Sequence, residues 1–278
     1  MTREGKSMKI KKALEKAKLI RQAATQSKEP ASDSSTFVCN GKSPIYTESR
    51  CVVPDMNVIK DNRCMGMLPD SPYLEAYKLL RTQIQQNTLK RDWKTLMVTS
   101  ALPGEGKTLT AVNLSLTFAR AFDLTVLLID CDLRRQDIHK YMGIESNLGL
   151  VDYLMDDVPL KDLIIWPSID KMTLISGGRT IQETTEFLTS PRMKSLVNEV
   201  KNRYDDRYII FDVPPVLMGA DAIAFGEYVD YIIMVVEAGK THMEDINKAI
   251  DLIPKEKFLG FVLNRDIPRT DTQYPCPY

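Results

Sequence analysis

Six short apolar runs limit what this chain can fold into: TLMVTS (95–100), TVLLID (125–130), MTLIS (172–176), RYIIFDV (207–213), DYIIMVVE (230–237) and FLGFVLN (258–264). Each has strand length, and most are apolar throughout rather than at every second position. A strand with one wet face alternates, whereas one covered on both faces does not. Helical signals lie between the runs. Residues 107–122 follow a glycine-rich turn, and the stretch from Pro191 to Tyr204 starts behind Ser190, whose hydroxyl suits an N-cap. Upstream, Ser71 and Pro72 suit a helix start, and Tyr73, Tyr77, Leu80 and Ile84 line one helical face. Strand, helix, strand in this order predicts an α/β fold, a doubly wound and mostly parallel sheet with helices on both faces.

The flanks read differently. Residues 1–70 are expected to form a basic N-terminal extension and flexible linker. The first 22 residues are rich in Lys and Arg, and Ile10, Leu14, Ala17 and Leu19 give them a weak helical stripe. That suits a solvated charged helix, or one that docks on an anionic membrane or an acidic partner. Residues 23–50 have few large apolar side chains and suit a linker. Residues 266–278 hold three prolines and no large aliphatic residue beyond Ile267, which suits a flexible tail. The folded domain is thus expected over 71–265.

The formal net charge of the 278 residues is zero, so nothing global argues for nucleic acid. No apolar run approaches the ~18 residues of a membrane span, and the N-terminus lacks the apolar core of a secretory signal. Cys39, Cys51, Cys64, Cys131 and Cys276 form no C-x-x-C pair, so zinc and a disulfide framework are not expected and a reducing cytoplasm fits. His139 and His242 lie far apart and read as ordinary surface or helix residues.

The stretch Ala101-Leu102-Pro103-Gly104-Glu105-Gly106-Lys107-Thr108 matches G-x-x-x-x-G-K-[ST] except for Ala101 in the first glycine place. It follows an expected strand and opens an expected helix, as the motif requires. Gly104 and Gly106 let the backbone turn so that successive N–H groups face one anion, and the helix start adds partial positive charge. Lys107 then reaches the β and γ phosphates, and the Thr108 hydroxyl ligates Mg²⁺. Two other strand ends carry acids, Asp130 with Asp132 in VLLIDCDLRR and Asp212 in YIIFDVPP. In open α/β sheets ligands bind beyond the carboxyl ends of strands, so these acids can converge on the loop. The sheet is therefore expected to be of the P-loop NTPase type.

The set ALPGEGKT, VLLIDCDLRR and YIIFDVPP resembles the Walker A, Walker A′ and Walker B signatures of the bacterial tyrosine kinases of polysaccharide synthesis. Asp130, Asp132 and Arg134 fill the A′ pattern, and Asp212 with Pro214 fills the B pattern. Within that family, the basic extension points to the autokinases of exosortase-linked exopolysaccharide systems. Partitioning and cell-division-site ATPases of the ParA and MinD kind share the fold but carry an extra loop lysine, where this chain has Leu102. EAYKLLR also resembles the kinases' E-x-x-R-x-x-R oligomerisation motif, through Glu75, Lys78 and Arg81.

The resemblance implies roles. Pro103 to Leu109 would hold ATP, and Asn264 would lie near adenine. Lys107 would offset charge on the γ-phosphoryl group. Asp130 would accept the tyrosine proton or orient the hydroxyl, while Asp132 and Asp212, with Thr108, would hold Mg²⁺. The acceptors would be Tyr274 and Tyr278. Implied partners are copies of the same chain in a ring and a separate membrane activator of the chain-length-determinant type, and no nucleic acid. The implied place is the cytoplasm, at the inner face of the plasma membrane. The alternatives are a membrane-peripheral switch ATPase of the ParA or MinD kind and an ATP-binding adaptor with weak or no transfer.

Overall fold

The computed structural model describes residues 49–68, 71, 73–88, 91 and 93–266. The basic N-terminal segment and the tail tyrosines Tyr274 and Tyr278 lie outside the described residues. The strands are β1 (Arg50–Cys51), β2 (Thr95–Ser100), β3 (Thr125–Asp130), β4 (Ile165–Trp166), β5 (Met172–Ile175), β6 (Arg207–Asp212), β7 (Tyr231–Glu237) and β8 (Phe258–Asn264). They form one sheet in the order β1-β4-β5-β3-β6-β2-β7-β8. Every neighbouring pair is parallel except β4 with β5. All six residues of each of β2, β3 and β6 are buried, as the unbroken apolar runs predict.

The helices are α1 (Met56–Asp61), α2 (Leu74–Thr88), α3 (Lys107–Ala119), α4 (Ile138–Met142), α5 (Leu150–Asp156), α6 (Leu160–Leu163), α7 (Thr184–Leu188), α8 (Pro191–Asn202), α9 (Asp221–Phe225) and α10 (Met243–Leu252). They divide between the two faces of the sheet. Leu96, Val98, Leu128 and Ile210 pack with Ile59, Ile84, Leu114 and Met142, from α1 to α4. Met97, Leu127, Ile129 and Phe211 pack with Leu150, Leu163, Leu196, Phe225 and Ala249, from α5 to α10. Alternate strand residues thus feed opposite cores, the doubly wound arrangement. Ser190 caps α8 by accepting from the Met193 N–H at 3.1 Å. By contrast α2 starts at Leu74, two residues beyond Pro72.

The folded part begins earlier than the boundary at residue 70. β1 pairs with β4, and the Val52 N–H donates to the Trp166 carbonyl at 2.9 Å. Asp55 caps α1 through the Asn57 N–H, and Ile59 and Cys64 are fully buried. Gly66 lies against Leu116 of α3, where an added Cβ would come within 2.2 Å of the leucine Cβ. A two-residue strand and a six-residue helix leave too few apolar positions for any period to register.

Candidate active site

The turn between β2 and α3 is built on two left-handed residues, Gly104 (φ 84°) and Gly106 (φ 95°). An added Cβ at Gly104 would meet nothing within 4 Å, so this part of the turn opens outward. At Gly106 an added Cβ would come within 2.1 Å of Asn264 Nδ2, so the loop's inner side is closed by β8. Asn264 donates to the Glu105 carbonyl at 2.8 Å. The buried Glu105 accepts the Leu102 N–H at 2.7 Å through one oxygen and the Thr241 hydroxyl through the other. The loop is thereby held from both sides with its glycines free to face an anion.

Parallel β2, β3 and β6 end side by side, with Asp130 directly opposite Asp212 in register. Lys107 Nζ lies 2.8 Å from Asp132 Oδ2 and 3.2 Å from Asp212 Oδ1. The Thr108 hydroxyl donates to Asp212 Oδ2 at 2.6 Å. Burial opposes the charge on Lys107, but Asp212 and then Asp132 more than offset it and hold the ammonium above the ordinary lysine value. Burial raises the Asp212 carboxyl above the usual range, and Lys107 and Thr108 only partly reverse that. Asp130 is pushed up further, by burial first and then by the facing Asp212.

A cleft of about 330 Å³ opens beside this group, lined by Pro103, Gly104, Gly106, Lys107, Thr108 and Asp132 together with Arg134 and Asp221. Asp130 does not line it. Expected at the reacting centre, it sits one layer beneath: its side chain is fully buried and accepts the Asp132 and Ile138 N–H groups at 3.2 and 3.3 Å. The reason is local. The chain doubles back after β3, and the backbone of 132–138 closes over the strand-end carboxyl. A larger groove of about 730 Å³ adjoins on the other side of the loop, lined in part by Gly106, Leu109, Asn264 and Tyr77. Cys131 is buried between the acids, and burial pushes its thiol far up, consistent with a filler.

The raised carboxyls carry a pH signature. A group that binds its proton more tightly folded than unfolded contributes stability at low pH and loses it as pH rises through the folded value. Unfolded aspartate titrates at about pH 3.9, so from about pH 4 upward the Asp130–Asp212 pair erodes stability. The difference in thermal midpoint between Asp130→Asn and the unsubstituted protein should therefore shift in the variant's favour as pH rises from 4 to 8. A difference constant across that range would refute the buried-charge reading.

The E-x-x-K-x-x-R helix does not present one face. Lys78 pairs with Glu75 at 2.5 Å in solvent, whereas Arg81 turns inward and donates to the Thr117 carbonyl at 2.7 Å near the end of α3. Burial lowers the Arg81 pKa. Each step of three residues falls about 60° short of a full turn, so Arg81 sits about 120° around from Glu75. Within the single chain Arg81 thus joins α2 to α3.

The donors fit a magnesium nucleotide. Among the described residues no group of three or more His, Cys, Asp and Glu forms a ready-made cage. Mg²⁺ needs none, because it is usually held by one or two carboxylates and the substrate's own phosphates. Thr108, Asp132 and Asp212 supply hard oxygen donors beside an open anion cradle.

An anion-binding turn between a buried parallel strand and a helix, ringed by strand-end carboxylates, defines a P-loop nucleotide-binding domain. The pattern of the AAA domain family matches residues 93–259. The tyrosine-protein kinase YwqD of Bacillus subtilis is 35% identical over 198 residues, 70% of this chain and 82% of the relative. The kinase domain of the Escherichia coli tyrosine kinase ETK superposes with a TM-score of 0.69 at 26% identity, over 85% of this chain and 95% of that one. The chain belongs to the bacterial tyrosine-protein kinase family. The cell-division ATPase MinD from Pyrococcus horikoshii (23% identity, TM-score 0.51, 63% of this chain and 74% of that one) shares the fold alone.

Proposed function

We propose that this chain is an ATP-dependent protein-tyrosine autokinase that phosphorylates its own Tyr274 and Tyr278 and thereby regulates exopolysaccharide synthesis or export. The observation that carries this reading is the single cluster of Lys107, Thr108 and Asp132 lining one cleft, with Asp212 buried against Lys107 and Thr108. Bound Mg-ATP would supply the transferable phosphoryl group and the metal's charge. The loop from Pro103 to Thr108 would bind the phosphates, and Leu109 and Asn264, which line the larger groove, would face the nucleoside. Thr108 and Asp212 would hold the metal directly or through water, with Asp132 beside them. Lys107 would exchange its carboxylate partners for phosphate oxygens as negative charge builds there.

A phenol with a pKa near 10 needs a proton acceptor at neutral pH. We assign this role to Asp130, whose proton affinity burial has raised. Its two backbone bonds are long, at 3.2 and 3.3 Å, and its oxygens would be freed if the 132–138 turn lifted. Among the described residues no helix is long and apolar enough to cross a membrane. A cytoplasmic kinase working at the inner face of the membrane, with a separate membrane activator and assembly into a ring, is the arrangement we propose.

The test is direct. The purified chain, with and without a candidate activator segment, is incubated with Mg-ATP and phosphate is mapped by mass spectrometry. Label on Tyr274 or Tyr278 that disappears in the Tyr274→Phe/Tyr278→Phe double variant supports the reading. Free phosphate released with all tyrosines unmodified would support a switch ATPase instead.

A further inference from the structure

We propose that Arg134 is an anchored guanidinium fork that grips the phosphoryl group in the cleft, and that Thr184 and Asp221 are the positioning residues that aim it. The proposal rests on the reading of the cleft as the site of phosphoryl transfer. Four cations line that cleft, Lys107, Arg134, Arg135 and Arg265. Lys107 is engaged by Asp132 and Asp212, and Arg265 turns its Nη1 to Glu237 at 2.9 Å. Arg135 is held by Asp137 at 3.1 Å, but its side chain is 73% exposed and that contact is solvent-facing.

The Arg134 side chain is itself 51% exposed, but its anchor is buried. Its Nε donates to the Thr184 hydroxyl at 2.8 Å and lies 3.6 Å from Asp221 Oδ2. Thr184 is fully buried and passes its own proton to Asp221 Oδ2 at 2.7 Å. The other Asp221 oxygen accepts from the Thr185 hydroxyl. The carboxylate is buried, with a relative exposure of 3%, and it opens the five-residue helix α9. A buried carboxylate is costly unless it is satisfied and paired, and here two hydroxyls satisfy it and one guanidinium, approached by its stem-side nitrogen, pairs with it. Both Nη groups are left without a partner among the described residues. A guanidinium fixed at Nε and open at both Nη ends presents the planar fork that matches two oxygens of a phosphoryl group.

Charge points the same way. Asp132 and Asp212 share one lysine, with Asp130 buried beneath them, so an incoming terminal phosphoryl group adds negative charge to a region already rich in it. Arg134 is the cleft-lining cation whose carboxylate partner is shared with two hydroxyls and is itself buried. A phosphoryl group can come from two sources, the nucleotide's terminal phosphate or the phosphorylated phenol that leaves.

The full chain is titrated with MgADP, with a Mg-ATP analogue bearing nitrogen between the β and γ phosphorus atoms, and with phenyl phosphate, by calorimetry. Arg134→Lys keeps the charge and loses the fork. It should weaken the analogue or phenyl phosphate by about tenfold or more, the worth of a charge-assisted bond, while MgADP stays within about twofold. Loss of the analogue places the fork on the nucleotide, and loss of phenyl phosphate places it on the product. Thr184→Val should reproduce part of the loss, and Thr184→Ser should restore it. Unchanged affinities, or MgADP falling in parallel with the others, overturn the proposal, and the MgADP value also reports whether a variant is folded. If the unsubstituted chain binds neither nucleotide, the kinase reading itself fails, an outcome no variant can produce.

Discussion

Lys107→Met should reduce tyrosine labelling by at least about 10²–10³-fold, the loss expected when one fixed donor to developing charge is removed. The substitution keeps most of the side chain's length and apolar volume, so the packing of α3 should survive. What goes is the only lysine lining the cleft among the described residues, and Asp132 and Asp212 are then left without the ammonium that lies 2.8 and 3.2 Å from them. Removing the ammonium takes away the charge that offsets burial of Asp212, so its proton affinity rises further. The variant's residual labelling should therefore fall more steeply as pH drops from 8 to 6 than that of the unsubstituted chain. Labelling within tenfold of the unsubstituted chain would remove Lys107 from the reaction.

Asp212→Asn should cost about as much in transfer, and it should also alter the metal dependence. Asp212 is where the Lys107 ammonium and the Thr108 hydroxyl meet, at 3.2 and 2.6 Å. An amide in its place offers one acceptor oxygen rather than two and carries no charge, so either Thr108 loses its acceptor or Lys107 is left with Asp132 alone. The Mg²⁺ concentration giving half-maximal nucleotide binding should rise by about tenfold or more, because a charged donor to a hard cation has been removed. Titration of fluorescent ADP against Mg²⁺ reads this without any turnover. A metal requirement equal to that of the parent chain would mean that the strand-end acid is structural only.

Much of this was legible in the residues themselves. The unbroken apolar runs specified a sheet covered on both faces, and the two cores assembled from alternate residues of β2, β3 and β6 are that expectation realised. The phosphate loop could be read because its glycines, lysine and threonine must occur at fixed offsets between a strand and a helix. What stayed hidden depends on depth and direction. Asp130 and Asp132 are two residues apart, yet one is roofed by backbone and the other lines the cleft. The inward turn of Arg81 is set by α3, which its own spacing does not mention. Thr184 and Asp221 belong to no motif, and only the packing of α7 against α9 brings them beside Arg134.

Glu105 joins the Leu102 N–H to the Thr241 hydroxyl, and Thr241 in turn accepts the Glu237 N–H at 3.0 Å. The nucleotide-gripping turn and the approach to α10 are consequently one mechanical body. A displacement of the outer rim at 238–242 would therefore act first on the Glu105 side chain that holds the turn, with no contact inside the cleft.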